Sequence, residues 1–149
     1  MKFIVDDMLG KLAKRLRMLG FDTVFNFGIP DRELLKISRD EDRILLTRDT
    51  ALLKVRGVKG LFIKSTEFKS QLKQVVNDLK LKIEKKNVFS RCAECNTPVE
   101  EIEKEKIKDK VPEYIFKTHE KFYHCPSCKR IYWKGTHIDK LEKEFKEVL

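Results

Sequence analysis

Arg43-Ile44-Leu45-Leu46-Thr47-Arg48-Asp49 decides how the rest of the chain is read. A short apolar run ending in Thr-Arg-Asp has the form of a buried strand that delivers an acid to the edge of a sheet. Met1-Lys2-Phe3-Ile4-Val5-Asp6-Asp7 repeats the arrangement: apolar residues run into acids, and helical spacing follows at Leu9, Leu12, Ala13, Leu16 and Leu19. Gly20 stands where a left-handed residue would end that helix. In open α/β sheets, ligands bind beyond the carboxyl ends of the strands where connections diverge. Asp6, Asp7 and Asp49 are therefore expected to share one crevice.

Working outward, Phe21 to Phe25 reads as a second strand and Asn26 to Pro30 as a loop. Asp31-Arg32-Glu33 opens a helix carrying Leu34, Leu35 and Ile37, with Asp31 as a candidate N-cap. Thr50 to Leu53 reads as a short helix that Asp49 itself would cap, and Gly60 to Ile63 as a fourth strand. Thr66-Glu67 opens a helix with Phe68, Leu72, Val75, Val76 and Leu79 on its apolar face. Alternating short strands and amphipathic helices predict an α/β domain with a mainly parallel sheet. The lysine-rich stretch from Lys80 to Arg91 lacks a period and reads as a linker.

Beyond it the character changes. Cys92-Ala93-Glu94-Cys95 and Cys125-Pro126-Ser127-Cys128 form two CxxC pairs separated by 29 residues. Four thiolates suit structural Zn²⁺, which takes four ligands in a tetrahedron; disulfides and a [4Fe–4S] cluster are the competing uses of the same residues. The gap exceeds the usual spacing of roughly 15 to 20 residues, so an excursion from Glu100 to Glu120, interrupted by Pro112, is expected. Ile131-Tyr132-Trp133 reads as a strand, and a terminal helix carries Ile138, Leu141, Phe145 and Val148. Three histidines, His119, His124 and His137, have no obvious role beside four cysteines.

The formal charge of +9 is unevenly spread: residues 1–89 hold 20 Lys or Arg against 12 Asp or Glu, and residues 90–149 hold 13 against 12. A basic surface draws polyanions, so RNA or DNA is a sensible partner. Lys11, Lys14 and Arg15 share one helix face and form either a phosphate track or a solvated face. Arg48 serves either phosphate or an ion pair. Lys129, Arg130 and Lys134 beside Trp133 would grip a single strand by charge and stacking, unless Trp133 belongs to the ribbon core. No apolar run approaches the ~20 residues of a membrane span. With no membrane partner and no secretory signal, a cytoplasmic protein is expected.

Three carboxylates brought together would repel one another and call for a cation. Hard Mg²⁺ or Mn²⁺ prefers carboxylate and water oxygens and assists phosphodiester cleavage. At these residues the chain resembles a known family. Phe3 to Asp6, Leu12 to Thr23, Asp31 to Leu35, Ile44 to Asp49, the two CxxC pairs and Tyr132 to His137 are similar to the PIN-like RNase family named after the C-terminal domain of mutator-type exonucleases. The resemblance covers nearly the whole chain. It implies a PIN-like three-layer α/β/α nuclease domain at residues 1–85 and a zinc ribbon with a terminal helix at 90–149. It further implies metal-dependent RNase activity, with Asp6, Asp31 and Asp49 as catalytic and Mg/Mn-binding acids and Cys92, Cys95, Cys125 and Cys128 holding structural zinc. The family pattern offers a fourth acid after the next strand, where this chain has Lys64, Ser65 and Thr66 before Glu67; Asp7 and Glu33 match no motif position. A non-catalytic RNA-binding module, or an accessory subunit meeting a protein partner through the ribbon, is the alternative. A phosphorelay receiver would also place acids after two strands, but it requires a final strand ending in Lys that is not evident here.

Overall fold

The structure, a computed structural model, describes residues 1–133 and 136–148. Two compact units divide the chain, Met1–Asn96 and Thr97–Leu149.

In the first unit, β1 (Phe3–Val5), β2 (Thr23–Val24), β3 (Ile44–Thr47) and β4 (Gly60–Phe62) form one sheet in the order β2-β1-β3-β4, all pairs parallel. Short, mostly apolar strands are what a parallel sheet covered on both faces requires. A single 3-10 turn at Asp7–Leu9 leads into α1 (Gly10–Met18), and α2 (Asp31–Asp40), α3 (Thr50–Leu53) and α4 (Phe68–Asp78) follow their strands. From β1 the chain moves outward to β2; from β2 onward it crosses to β3 and then β4 in the opposite direction. Right-handed crossovers therefore put α1 on one face and α2 and α3 on the other. Side chains alternate accordingly. Ile4 and Leu45 pack with Leu34 of α2 and Leu52 of α3, while Phe3, Val5 and Leu46 are fully buried on the opposite side of the pleat.

Several boundaries differ from the sequence reading. The second strand is only two residues long, because Phe25 turns away to pack on Gly10. Pro30, not Asp31, occupies the N-cap of α2; Asp31 is the first helical residue and makes no capping bond, its charge complementing the helix dipole instead. Asp49 does cap α3, accepting from Ala51 N at 2.9 Å. The stretch from Lys80 to Arg91 is no free linker. It forms a 3-10 turn at Lys85–Asn87, and Phe89 N donates to Met18 O at 2.6 Å.

The second unit holds an antiparallel sheet of β5 (Glu100–Ile102), β6 (Phe122–His124) and β7 (Ile131–Tyr132) in that order. The 29-residue gap holds β5, a 3-10 turn at Lys104–Ile107, α5 (Glu113–Thr118), for which Pro112 is the N-cap, and β6. Ile107, Val111 and Phe122 form its core, with Ile102, Ile115, Phe116, Ile131 and Trp133 packed around them. Trp133 is thus a ribbon-core side chain. Helix α6 (Thr136–Val148) ends the chain. Among the described residues, no helix is long and apolar enough to cross a membrane.

Gly20 has φ +97°, and a β-carbon there would stand 2.4 Å from the Asn87 carbonyl oxygen. Gly20→Ala is expected to lower stability by about 2–3 kcal/mol, combining left-handed strain with the clash. Urea unfolding checks it; a loss below about 0.5 kcal/mol would show that residues 85–89 do not press on this turn.

Candidate active site and metal centre

The direction of chain travel reverses between β1 and β3, since β1 leads outward to β2 and β3 leads outward to β4. Such a switch point leaves a crevice at the carboxyl ends of the two strands. Asp6 follows β1 there, and Thr47 ends β3 with Asp49 two residues on. Thr47, fully buried, donates its hydroxyl to Asp6 Oδ2 at 2.7 Å and accepts from the Asp49 backbone N at 2.9 Å. One hydroxyl thereby fixes both acid-bearing turns. Asp49 spends Oδ1 on the α3 cap, leaving Oδ2 for other partners.

Asp31 opens α2, which leaves the same edge of the sheet after β2, and it is exposed. Asp7 lies beside this edge too. Its Oδ2 accepts from Gly28 N at 3.2 Å, whereas Oδ1 is buried without a hydrogen-bond partner. An orphaned carboxylate oxygen is costly and suits a cation or an ordered water. Among the described residues, the acids are not gathered as closely as metal ligands in a finished cage; only the cysteines are. That arrangement is compatible with Mg²⁺, which commonly uses one or two carboxylates and completes its shell with water and substrate phosphate.

The basic residues are largely engaged. Arg48 Nη1 donates to Ile63 O and Lys64 O, both at 2.7 Å, and the guanidinium lies 5.8 Å from the Phe62 ring centroid. It clamps the β3 turn to the end of β4, where the expected fourth acid is missing. Lys14 pairs with Glu94 at 3.0 Å. Lys11 and Arg15 flank the Phe68 ring at 5.6 and 5.3 Å, so the track on α1 is part cation–π cluster. Lys129 and Arg130 are exposed. Lys134 lies outside the described residues, as does the side chain of His137.

The four cysteine sulfurs all lie within 4.8 Å of one another, and no disulfide joins them. Tetrahedral bonds of roughly 2.3 Å require sulfurs roughly 3.8 Å apart, so the cluster fits zinc. Both CxxC pairs make the same turn. Asn96 N donates to Cys92 O at 2.9 Å and Lys129 N to Cys125 O at 2.8 Å, with φ +67° at both donors. Cys128 N also points to Cys125 Sγ at 3.5 Å, as amides in metal knuckles do.

Sequence reasoning missed the residues that fasten the first knuckle. Arg17 is 4% exposed on α1 and donates to Thr23 O at 2.9 Å, Ala93 O at 2.8 Å, Glu94 O at 3.2 Å and Phe25 O at 3.4 Å. Burial lowers its pKa, while Cys92, Glu94, Cys95 and Asp22 oppose that effect. Asn96 accepts from Thr23 N at 2.9 Å through Oδ1 and donates to Asp22 Oδ1 at 2.7 Å through Nδ2. Asp22 in turn pairs with buried Arg43 at 2.9 Å, and Arg43 also reaches Glu41. An arginine at the buried helical spacing of Ala13, Leu16 and Arg17 was the available signal.

Residues 1–145 match the family described as Mut7-C RNAse domain. The chain belongs to that family. It is also similar to a human protein named "Exonuclease mut-7 homolog", with 32% identity over 101 residues that cover 64% of this chain and 12% of that protein. The chain thus spans about an eighth of the relative's length. No solved structure matches it significantly.

Two measurements test this geometry. Burial pushes the Asp22 carboxyl up, but hydrogen bonds from Arg43 and Asn96 and the charges of Arg43 and Arg91 outweigh it and hold the pKa below the usual value. A lowered folded pKa means that the contribution is complete above the unfolded pKa of about 3.9 and is lost as pH falls through the folded value. Asp22→Asn should cost about 2–3 kcal/mol at pH 7, with the gap to the native protein closing only below about pH 4; a gap independent of pH would remove the carboxylate from this account. Chelation should release one zinc per chain and speed amide exchange at Asn96, Lys129 and Thr23, the last because Asn96 holds its N–H. Unchanged exchange at Thr23 would uncouple the knuckle from the sheet edge.

Proposed function

We propose that the chain is a metal-dependent ribonuclease whose reaction centre is the crevice between β1 and β3, with Asp6 and Asp49 as its principal acids and Asp31 at its margin. The observation that carries the reading is the Thr47 hydroxyl joining the Asp6 carboxylate to the Asp49 turn at the switch point of the sheet. Family membership and the name of the human relative support nuclease chemistry, and the basic charge of residues 1–89 supports RNA as the polyanion.

A Mg²⁺ or Mn²⁺ ion held by these acids would activate water and offset charge on the scissile phosphate. Asp6 and Asp49 would hold that ion; Thr47 keeps one oxygen of Asp6 fixed by donating to it, which leaves the other oxygen for the ion. The Asp31 carboxylate extends the negative potential along the same edge. Basic residues on α1 draw the RNA backbone in and offset its repulsion by the acids. We assign the nuclease part to residues 1–85 and the ribbon to 90–149, the ribbon holding structural zinc and adding RNA or protein contacts through exposed Lys129 and Arg130.

Cleavage of labelled RNA in Mn²⁺ or Mg²⁺ tests the reading. Asp6→Asn and Asp49→Asn should each reduce the rate by more than 100-fold, and Thr47→Val by roughly 10- to 100-fold, as expected for a group that orients a ligand. Retained RNA binding with no cleavage by the native chain would replace the nuclease reading with that of an RNA-binding module.

A further inference from the structure

Phe27 is 87% exposed and Met8 79% exposed, and they are attached to the two ends of one hydrogen bond. Gly28 N, next to Phe27, donates to Asp7 Oδ2, next to Met8. The residues around Phe27 are anchored inward. The Phe25 ring packs on Gly10, and the Phe25 carbonyl accepts from Arg17. Ile29 packs against the core of Ile4, Leu34, Leu45 and Leu52, and its N–H closes the turn onto Asn26 O at 3.3 Å. Gly28 adopts φ +79°, which lets the chain double back between these anchors. Phe27 is thus presented to solvent on a pinned turn, one residue from the atom that binds Asp7 and beside the acid-bearing edge of the sheet.

We propose that Phe27 is a stacking platform for an unpaired base of RNA entering the acid crevice, so that the substrate class is single-stranded RNA. The proposal rests on the nuclease reading above. An aromatic face accepts any base whose own face is open. In a duplex both faces of a base are covered by its neighbours, so the platform discriminates against paired RNA. Charge favours a nucleic acid over an apolar protein segment as occupant: the first 89 residues carry 20 basic against 12 acidic side chains, and Lys11 is exposed in the first turn of α1, four residues beyond Asp7. Two apolar side chains also make a smaller patch than a stable protein interface needs.

The test compares Phe27→Ala and Phe27→Trp, in the zinc-loaded chain carrying Asp6→Asn, for binding of a labelled single-stranded RNA and of its blunt duplex. Phe27→Ala should weaken single-strand binding about tenfold, the usual effect of losing one stacked base, with duplex binding and the unfolding midpoint unchanged. Phe27→Trp should restore binding, and its added indole fluorescence should be quenched by the single strand. Unchanged single-strand affinity in Phe27→Ala, an equal loss for duplex, or a change confined to self-association would overturn the platform. Cleavage by the native chain separates the two readings: cleavage with Phe27→Ala binding normally sinks only the platform, whereas no cleavage with Phe27→Ala still impaired sinks only the nuclease.

Discussion

Arg17 joins four pieces of chain that have little else in common. Its guanidinium, on α1, bonds to carbonyls in β2, in the loop that presents Phe27 and in the first cysteine knuckle. Removing a charge from water is costly unless its donors are used. Four carbonyl acceptors meet that demand, and each belongs to backbone that would otherwise require water. The arrangement is consequently restrictive: a shift of the knuckle or of the sheet edge would leave a buried cation short of partners.

Asp22 extends the same restraint into the sheet. It binds Asn96 of the knuckle on one side and Arg43, at the entry to β3, on the other. Arg43 also donates to the carbonyl of Phe3 on β1 at 3.1 Å. The strands that carry Asp6 and Asp49 are therefore held at their amino ends by a partly buried ion pair and at their carboxyl ends by the Thr47 hydroxyl. Edge strand β2 gains cover as well, because Asn96 takes up the Thr23 N–H that would otherwise be open to pairing. Zinc in the ribbon would steady this network through Cys92 and Cys95, whose knuckle backbone Arg17 grips.

Much of the architecture is legible in the sequence. The four strands, the helix from Thr50 capped by Asp49, the helix after Glu67 and the left-handed Gly20 lie close to where apolar spacing and turn chemistry put them. Failures occurred where local pattern is silent. Lys80 to Arg91 has no period because it is held by single contacts, Phe89 on Met18 and Asn87 against Gly20, and not by an amphipathic face. Asp31 is a candidate cap of α2 by residue type, but Pro30 has the extended backbone that the position needs. Arg48 sits beside an acid in sequence, yet its Nη1 donates to two carbonyls just past β4.

By itself the sequence determined the α/β alternation, the acids that end two strands and the four-cysteine set, because strand and helix periods and CxxC spacing are local properties of the chain. Only the tertiary structure decided that Asp6 and Asp49 meet through Thr47, that Arg17 and Asn96 bind the first knuckle to the sheet edge, and that Phe27 faces solvent beside the acids. Each of these depends on which strands become neighbours. That choice is made by crossover handedness and burial over tens of residues, and no short stretch of sequence records it.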